Sequence, residues 1–401
     1  MKNAVIFSGA CLIAGTTIGA TVLVLVGAVI GYGFGQVMGL YFSAWLLMTV
    51  TGLMLAEVCI KMPAGHSFLS LIGHYWGDIG KWIFSVIFYL LMFFLLCSYL
   101  KVLGALSHGS FGKMGFNFSE DKWLMIWLCL LSIVMVMGRH FLQDLNAAFV
   151  VMMVIGFVIV YLTILPHCHF ENLLLLEGRH SLEIEGSTSL LFLINAFGFH
   201  IIIPTVRNSL GQNELKKVYS MIWLGTLIPV VLYVLWYVVS IALLPIDFLN
   251  SINADQIPME KWGLFVTDII QQASQSHVIY FSLILLHFMF VLTSIIGISM
   301  ALYDLISDFF QIQGYKQQHI VIVCLSILPS TVFIYFVAKD IRAFLAYAGK
   351  LVILLNVILP ALLLAQERYI RPQLKRYAGI PTGLTYLVVL IGGALLYFQS
   401  S

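Results

Sequence analysis

The stretch Ala14-Gly15-Thr16-Thr17-Ile18-Gly19-Ala20 places two glycines and two threonines in the middle of the first long apolar run, residues 4–31. A second interruption, Asn195-Ala196-Phe197-Gly198-Phe199-His200, lies at the corresponding place in the sixth apolar run, residues 187–206. Interrupted membrane helices at matching positions in two halves of a chain are typical of transporters, whose substrate sites lie between the unwound segments. The alternative is close helix packing, which also uses glycine in membrane helices.

The composition is that of a membrane protein. Of 401 residues, 61% are hydrophobic and only 9% are charged, and the mean hydropathy is +1.01. Soluble domains carry about 25% charged residues, so a soluble enzyme, a nucleic-acid-binding protein and a disordered regulator are excluded. Lys and Arg number 20 against 18 Asp and Glu, so no net charge attracts a polyanionic partner. The partners expected are therefore membrane lipids, and no nucleic acid.

Apolar runs long enough to cross a bilayer recur along the whole chain. A membrane helix needs about 20 mostly apolar residues, and its backbone must satisfy its hydrogen bonds within the helix. These rules predict an all-α integral membrane protein with eleven transmembrane helices, spans 1–11, over residues 4–31, 35–60, 82–107, 122–138, 145–165, 187–206, 219–244, 277–305, 320–337, 343–365 and 380–398.

The Lys and Arg residues of the loops predict the orientation. With the N-terminus in the cytoplasm, loop Lys and Arg are about twice as frequent on the inner side as on the outer side, which satisfies the positive-inside rule. An odd number of spans then places the C-terminus outside. The long outer loop 245–276 is expected to contain a surface helix, because Trp262, Phe265, Ile269 and Ile270 recur at helical spacing.

Further motifs accompany the two interrupted stretches. They are Leu55-Ala56-Glu57-Val58 followed by Pro63-Ala64, Phe197-Gly198-Phe199-His200 with Pro204, Leu302-Tyr303-Asp304-Leu305-Ile306-Ser307-Asp308-Phe309, and Tyr347-Ala348-Gly349 with Pro360. With these motifs in this order, the chain resembles the hydroxy and aromatic amino acid permease family of the amino acid/polyamine/organocation superfamily, and most closely its tyrosine- and tryptophan-specific members. The resemblance spans essentially the whole chain.

The resemblance implies a leucine-transporter-like fold with two inverted five-helix repeats. Residues 1–165 form the first repeat (spans 1–5), 166–186 an outer loop, 187–365 the second repeat (spans 6–10), and 380–398 the eleventh span. It also implies a carrier in the bacterial inner membrane that imports an aromatic amino acid, first of all tyrosine, by cation symport. The alternative within the same fold is a sodium-coupled carrier of tryptophan or phenylalanine.

A zwitterionic amino acid in a dry site needs donors for its carboxylate and acceptors for its ammonium, and unwound backbone supplies both without buried charge. We expect amides around Ile18, Gly19 and Ala20 to bind the carboxylate, and carbonyls near Ala14, Thr16 and Phe197 to bind the ammonium. The aromatic ring then packs on Phe197 and Phe199 and against Tyr99 of span 3. The predicted substrate site comprises Ala14, Gly15, Thr16, Thr17, Ile18, Gly19, Ala20, Tyr99, Asn195, Phe197, Gly198, Phe199 and His200. Three of them, Asn195, Thr17 and His200, are candidates for reading a phenol group.

The residues leave both a proton and a sodium ion open as the co-transported cation. Related proton-coupled permeases carry a lysine in the middle of span 5, where Val154 falls in this chain. A sodium ion could replace it on Thr293 and Ser294 of span 8 with the carbonyls of Gly15 and Ile18. Lys350 of span 10 is a compensating titratable candidate. The proton candidates His200 and Glu57 also have structural interpretations: His200 as a neutral hydrogen-bonding group and Glu57 as a tie to free amides of span 6.

Tyr303 and Asp304, at the end of span 8, are interpreted as inner-gate or structural residues. Two swaps beside the site, Thr21-Val22 after Ala20 and Ile201 after His200, add bulk relative to the family pattern. A membrane enzyme would need a nucleophile–base set or a metal cluster, and His167-Cys168-His169 in an outer loop is the one sequence cluster of that kind. No Walker A motif supports ATP-driven transport, and no charged ring supports a channel. We therefore expect no enzyme activity, no cofactor, no metal apart from sodium, and no obligatory protein partner.

Overall fold

The computed structural model describes residues 2–62, 67–176, 186–208, 210, 214–245, 257, 261–310, 316–336, 341–370 and 380–397. Helices account for all regular secondary structure within these ranges. The motif residues Pro63 and Ala64, and parts of the predicted outer loops 166–186 and 245–276, lie outside the described residues.

The α-helices of the described chain are α1 (Lys2–Thr17), α2 (Thr21–Val29), α3 (Phe34–Cys59), α4 (Phe68–Gly112), α5 (Glu120–Val136), α6 (Arg139–Ile164), α7 (Asn172–Leu175), α8 (Gly186–Ala196), α9 (Ile203–Asn208), α10 (Leu215–Leu243), α11 (Trp262–Ser274), α12 (His277–Phe310), α13 (Lys316–Phe336), α14 (Ile341–Val352), α15 (Leu359–Ile370) and α16 (Thr382–Tyr397). Short 3₁₀ turns cover Leu165–His167 and His200–Ile202, and a π-helix, Ile353–Ile358, joins α14 to α15.

The chain is a multi-pass membrane protein. In the described ranges, seven helices are long and apolar enough to cross a membrane, and the bent pair α1–α2 makes an eighth. The stretch Val323–Phe336 of α13 and the whole of α16 are apolar but shorter, and α5 has 17 residues. Eleven crossings require these three helices to span as well, so that number stays a prediction.

The first span is broken where the glycines predict it. Helices α1 and α2 meet at an angle of 61°, and residues Ile18–Ala20 between them are not helical. A Cβ atom at Gly19 would lie 2.2 Å from Ser294 Oγ. Glycine at this position therefore leaves room for the Ser294 hydroxyl that accepts the Ala20 amide.

The sixth span is interrupted at the matching place. Helix α8 ends at Ala196, residues Phe197–Phe199 have no regular structure, and a 3₁₀ turn leads into α9. The whole stretch Ser189–Asn208 still forms one apolar span of 20 residues. The prediction of two interrupted spans is thus confirmed, and each interruption lies inside its apolar segment.

Helix α4 departs from the predicted span 3. It begins at Phe68, far ahead of the predicted start at 82, and it is kinked at Gly77, whose φ is +67°. That value lies in the left-handed region that favours glycine. The early part of α4 escaped prediction because polar residues such as Asp78 and Lys81 break its apolar run. By contrast, the predicted surface helix in the loop before span 8 is confirmed as α11.

Candidate functional site

The break in span 1 exposes backbone amides that the protein itself does not use. The amide of Ile18 donates to the Ala14 carbonyl at 2.8 Å, and the amide of Ala20 donates to Ser294 Oγ at 2.7 Å. Within the described chain, the amides of Gly19 and Thr21 have no hydrogen-bond acceptor. They stand at the first turn of α2, the positive end of its dipole. Donor capacity for an anion is therefore centred on Gly19 and Thr21, whereas the sequence had placed it on Ile18, Gly19 and Ala20.

Tyr233 of α10 joins the two interrupted spans, and no sequence motif singles it out. Its hydroxyl lies 2.7 Å from the Thr17 carbonyl oxygen and 3.2 Å from the Ala196 carbonyl oxygen. These carbonyls end α1 and α8, so one buried phenol serves the negative ends of both half-helices. The Ala14 carbonyl accepts the Ile18 amide. The carbonyls best placed to accept a further hydrogen bond are therefore those of Thr17 and Ala196, at the ends of α1 and α8.

The predicted aromatic residues point to different neighbours. Tyr99 of α4 is buried, and its hydroxyl lies 3.1 Å from Thr21 Oγ1, beside the break in span 1. Phe197 packs on Tyr233, with ring centroids 5.3 Å apart. Phe199 instead packs into α3, where a Cβ on Gly52 would lie 2.5 Å from its ring. Tyr99 and Phe197 thus flank the breaks, while Phe199 seals span 6 against span 2.

The other predicted polar residues of the first break have local partners. Thr16 Oγ1 donates to the Leu12 carbonyl at 2.7 Å, and Thr17 Oγ1 donates to the Ile13 carbonyl at 2.8 Å. These bonds close each hydroxyl onto its own helix. Gly15 is half-buried, and a Cβ at this position would meet no other atom within 4 Å.

His200 ties span 6 to span 2. Its Nε2 lies 2.9 Å from Thr51 Oγ1, and its Nδ1 is buried without a partner among the described residues. Thr51 can donate its one proton to the Leu47 or Met48 carbonyl, each 3.1 Å away. When it does, Nε2 of the imidazole is the donor to Thr51 and Nδ1 is left as an acceptor.

Glu57 is held by a partner that the sequence did not suggest. Both of its carboxylate oxygens lie 3.1 Å from Nη2 of Arg368 on α15, and Tyr219 of α10 donates to it at 3.4 Å. The two charged side chains are 8% and 2% exposed. The predicted tie to free amides of span 6 is thus replaced by an ion pair between α3 and α15. Arg368 had counted as a loop cation of the positive-inside pattern.

Ser294 of α12 contacts the first break, and Thr293 is its buried neighbour on the same helix. Thr293 Oγ1 donates to the Met289 carbonyl at 2.8 Å, and Ser294 Oγ donates to the Phe290 carbonyl at 3.0 Å while accepting the Ala20 amide. Each hydroxyl proton is therefore used within α12, and lone pairs of both oxygens stay available to a cation. Hydroxyl and carbonyl oxygens suit a hard cation such as sodium.

The remaining ion and gate candidates lie apart from this cluster. Val154 is 54% exposed on α6, whereas Thr293 is buried. An exposed side chain does not fit a buried cation position, so the match of Val154 to the lysine of related permeases has no support from this structure. Lys350 is half-buried, and its Nζ lies 6.0 Å from the centre of the Tyr347 ring. Tyr303 and Asp304 are half-buried late in α12.

Asn356, which the sequence analysis did not single out, lies beside the break in span 6. A Cβ on Gly198 would be 3.2 Å from the Asn195 carbonyl oxygen and 3.8 Å from Asn356 Nδ2. Asn195 itself is buried, and its Nδ2 has no partner among the described residues. Two carboxamides therefore lie near Gly198: Asn195, one helical turn before it, and Asn356, which faces it from the π-helix.

No group of three or more His, Cys, Asp or Glu side chains that could hold a metal occurs in the described ranges. In the sequence cluster at 167–169, His169 pairs with Glu171 at 3.4 Å on the surface, and Cys168 Sγ bonds the Ile164 carbonyl. The polar groups at the breaks are thus backbone and neutral side chains, an arrangement suited to binding a zwitterion with a cation.

Comparisons with known proteins agree with this geometry. The tryptophan/tyrosine permease family model matches residues 2–399. The tyrosine-specific transport system 1 of Haemophilus influenzae is 26% identical, over 96% of this chain and 94% of its own length. The tryptophan-specific transport protein of Shigella flexneri is 24% identical, over 99% of this chain and 95% of its own length.

A solved structure shares the fold. Mhp1, a nucleobase-cation-symport-1 family transporter in a closed conformation with bromovinylhydantoin bound, superposes with a TM-score of 0.65 at 14% identity, covering 98% of this chain and 90% of that one. Its fold is of the leucine-transporter type, and the named relatives are transport proteins, not enzymes. From the whole-length match to the family model, this chain belongs to the tryptophan/tyrosine permease family.

Proposed function

We propose that this protein is a secondary active transporter that imports an aromatic amino acid, tyrosine first, by cation symport and alternating access. The observation that carries the proposal is the pair of interrupted spans, with unused amides on Gly19 and Thr21 close to the helix ends held by Tyr233. In the proposed arrangement, eleven spans cross the bacterial inner membrane, with the N-terminus in the cytoplasm and the C-terminus outside.

The substrate's carboxylate accepts hydrogen bonds from the Gly19 and Thr21 amides at the start of α2, where the helix dipole favours an anion. Its ammonium donates to the carbonyls that end α1 and α8. The Thr17 and Ala196 oxygens both lie within hydrogen-bonding reach of one phenol oxygen, so a single ammonium is able to contact both. The ring lies between Tyr99 and Phe197.

We further propose sodium as the coupled cation, bound by the Thr293 and Ser294 hydroxyls with the Gly15 and Ile18 carbonyls. Two observations favour it over a proton. The Thr293 and Ser294 oxygens keep free lone pairs, and Ser294 lies at the break because it accepts the Ala20 amide. The Glu57 carboxylate, in turn, is already neutralised by Arg368. The proton alternative uses His200, Glu57 or Lys350.

Uptake of labelled tyrosine into proteoliposomes tests the proposal, with a sodium gradient and a pH gradient imposed separately. We expect sodium alone to drive accumulation. The double variant Thr293→Ala/Ser294→Ala removes the sodium stimulation, while Ser299→Ala, which removes a buried hydroxyl bonded to the Ile295 carbonyl, leaves it. Accumulation driven only by the pH gradient contradicts the sodium site. The absence of accumulation of any aromatic amino acid under either gradient contradicts the function itself.

In the proposed cycle, spans 1, 2, 6 and 7 rock against the remaining spans. The contacts that link these four spans to one another support this grouping: Tyr233 joins spans 1, 6 and 7, and His200 joins spans 6 and 2. Contacts to the other group are made by Ser294 and Tyr99 at the break in span 1, where substrate and cation bind, and by the Glu57–Arg368 pair between spans 2 and 10.

A further inference from the structure

The tenth predicted span changes its helix type in the middle. Between α14 and α15, residues Ile353–Ile358 form a π-helix. π-helical turns are rare, and they occur frequently at functional sites, because the wider turn turns side chains away from their regular positions. No proline lies within this turn, since Pro360 follows it in α15. The π-helix is therefore a feature whose use must be sought in the side chains it presents.

Asn356 is the one polar side chain in this turn, whose sequence is Ile-Leu-Leu-Asn-Val-Ile. Its neighbours Leu355 and Val357 are buried, whereas Asn356 is half-buried. Its Nδ2 lies 3.8 Å from the position of a Cβ on Gly198, so the carboxamide faces the break in span 6. It makes no hydrogen bond with any described residue.

A half-buried carboxamide without a protein hydrogen bond keeps its donors and acceptor available to a ligand or water, and closing the site over it with neither is costly. The nearby Asn195, one turn before Gly198, also has a buried Nδ2 without a partner among the described residues. The side of the site next to Gly198 thus carries amide groups with unused hydrogen-bonding capacity, while Tyr99 at the opposite break is already bonded to Thr21.

The chemistry of a carboxamide selects among aromatic rings. Its oxygen accepts and its nitrogen donates, so it pairs with a phenolic hydroxyl in either direction and with an indole N–H as an acceptor. Phenylalanine offers neither partner and leaves the amide unsatisfied. Sites built to bond a polar substituent reject the analogue that lacks it far more strongly than apolar pockets reject an extra group.

We propose that Asn356 is a specificity-determining residue that hydrogen-bonds the polar atom of the substrate's aromatic ring, foremost the phenolic hydroxyl of tyrosine. The inference rests on the proposed function and adds the side chain that separates tyrosine and tryptophan from phenylalanine. Asn356 has this position because the π-helix turns it toward Gly198. The carboxylate and ammonium are bound elsewhere, by backbone, so the loss of Asn356 affects the ring's polar atom alone.

The test is calorimetric titration of the purified full-length protein with tyrosine, tryptophan and phenylalanine. The wild type binds tyrosine more tightly than phenylalanine. Asn356→Leu weakens tyrosine binding by about tenfold and leaves phenylalanine nearly unchanged, because one hydrogen bond is lost. Leu354→Met, a conservative change of a half-buried residue in the same π-helix, is the matched control and keeps the wild-type ratio.

An unchanged ratio of tyrosine to phenylalanine affinity in a folded Asn356→Leu variant overturns the inference and leaves the proposed function intact. If this variant does not purify as a monodisperse protein, the same affinity ratio is measured with Asn356→Ala. A wild-type protein that binds none of the three amino acids overturns the proposed function, and the inference with it. If Asn356→Leu weakens the binding of tyrosine and phenylalanine equally, the inference is overturned, because that result assigns Asn356 to the packing of the site.

Discussion

The two interrupted spans and the contact between α3 and α15 both bury polar groups in apolar surroundings, and they satisfy them in opposite ways. At the breaks, the partners are neutral: the Tyr233 hydroxyl bridges two carbonyls, and the Gly19 amide has no acceptor within the described chain. Between α3 and α15, Glu57 meets Arg368 directly. Unused hydrogen-bonding capacity marks a place for a ligand, whereas a closed ion pair marks a joint of the fold.

The largest expected effect concerns the break in span 6. Gly198→Leu abolishes uptake of labelled tyrosine in proteoliposomes, because its Cβ alone would lie 3.2 Å from the Asn195 carbonyl oxygen, and the rest of the side chain extends into the site toward Asn356. Overpacking of this kind costs about 1–3 kcal/mol in well-packed regions, and here it also fills the volume that the substrate needs.

Gly393→Leu in α16 is the matched control, since a Cβ at Gly393 meets no atom within 4 Å. It introduces the same side chain in a membrane helix and retains uptake. Normal transport by Gly198→Leu, at equal amounts of reconstituted protein, would show that the break in span 6 is packing geometry and not a site.

The second prediction concerns the ion pair between α3 and α15. Arg368→Met leaves the Glu57 carboxylate buried without a counter-charge, and such a loss costs about 3–5 kcal/mol. We expect a marked fall in the midpoint of thermal denaturation of the detergent-solubilised protein. The double variant Glu57→Gln/Arg368→Met recovers most of that fall, because the uncompensated charge is gone.

The double variant also distinguishes a structural role of Glu57 from a role in proton coupling. If Glu57 is a joint of the fold, the double variant keeps both uptake and its dependence on the driving ion. If uptake in the double variant is lost although its thermal midpoint has recovered, Glu57 belongs with the neutral break as part of the transport machinery, and the contrast between the two regions fails.

The third prediction concerns the phenol between the half-helices. Tyr233→Phe keeps the ring against Phe197 but removes the donor to the Thr17 and Ala196 carbonyls. A buried acceptor left without a partner costs about 1–3 kcal/mol. We expect a lower thermal midpoint without substrate, and a larger stabilisation by saturating tyrosine than in the wild type, because the substrate's ammonium then supplies the missing donor.

A variant in the same helix provides the control. Tyr237→Phe removes a buried hydroxyl one turn along α10 and is expected to shift the thermal midpoint equally with and without tyrosine. Equal substrate stabilisation in Tyr233→Phe and the wild type would contradict an ammonium position at the ends of α1 and α8.

The sequence was sufficient to locate both breaks, because glycine interruptions occur at matching places in the two halves of the chain. It also singled out Ser294 and Tyr99, which contact the first break. It could not assign side chains to helix faces. Val154 matches the cation position of related permeases in sequence, yet its side chain is 54% exposed on α6.

Partners across the fold were equally out of reach. Tyr233 is one of 18 tyrosines and has no local signal. Arg368 sits near the end of an apolar run and was interpreted as a loop cation, because a single sequence does not show that α15 packs against α3. Asn356 was hidden because a π-helix has no sequence motif, and its importance depends on the distance to Gly198.

The smallest expected effect concerns an ion pair that is exposed to water, which can be compared with the buried pair of Glu57 and Arg368. Lys113 and Asp268 join the end of α4 to α11 at 2.5 Å, with side chains 49% and 40% exposed. Exposed pairs contribute about 0.2–1 kcal/mol and are screened by salt. Asp268→Asn therefore lowers the thermal midpoint slightly, and the difference from wild type disappears in high salt. The Arg368→Met difference persists in the same buffer because its charges are buried. A salt-sensitive loss at Arg368 would mean that water reaches the Glu57 carboxylate, and that this region is open like the breaks.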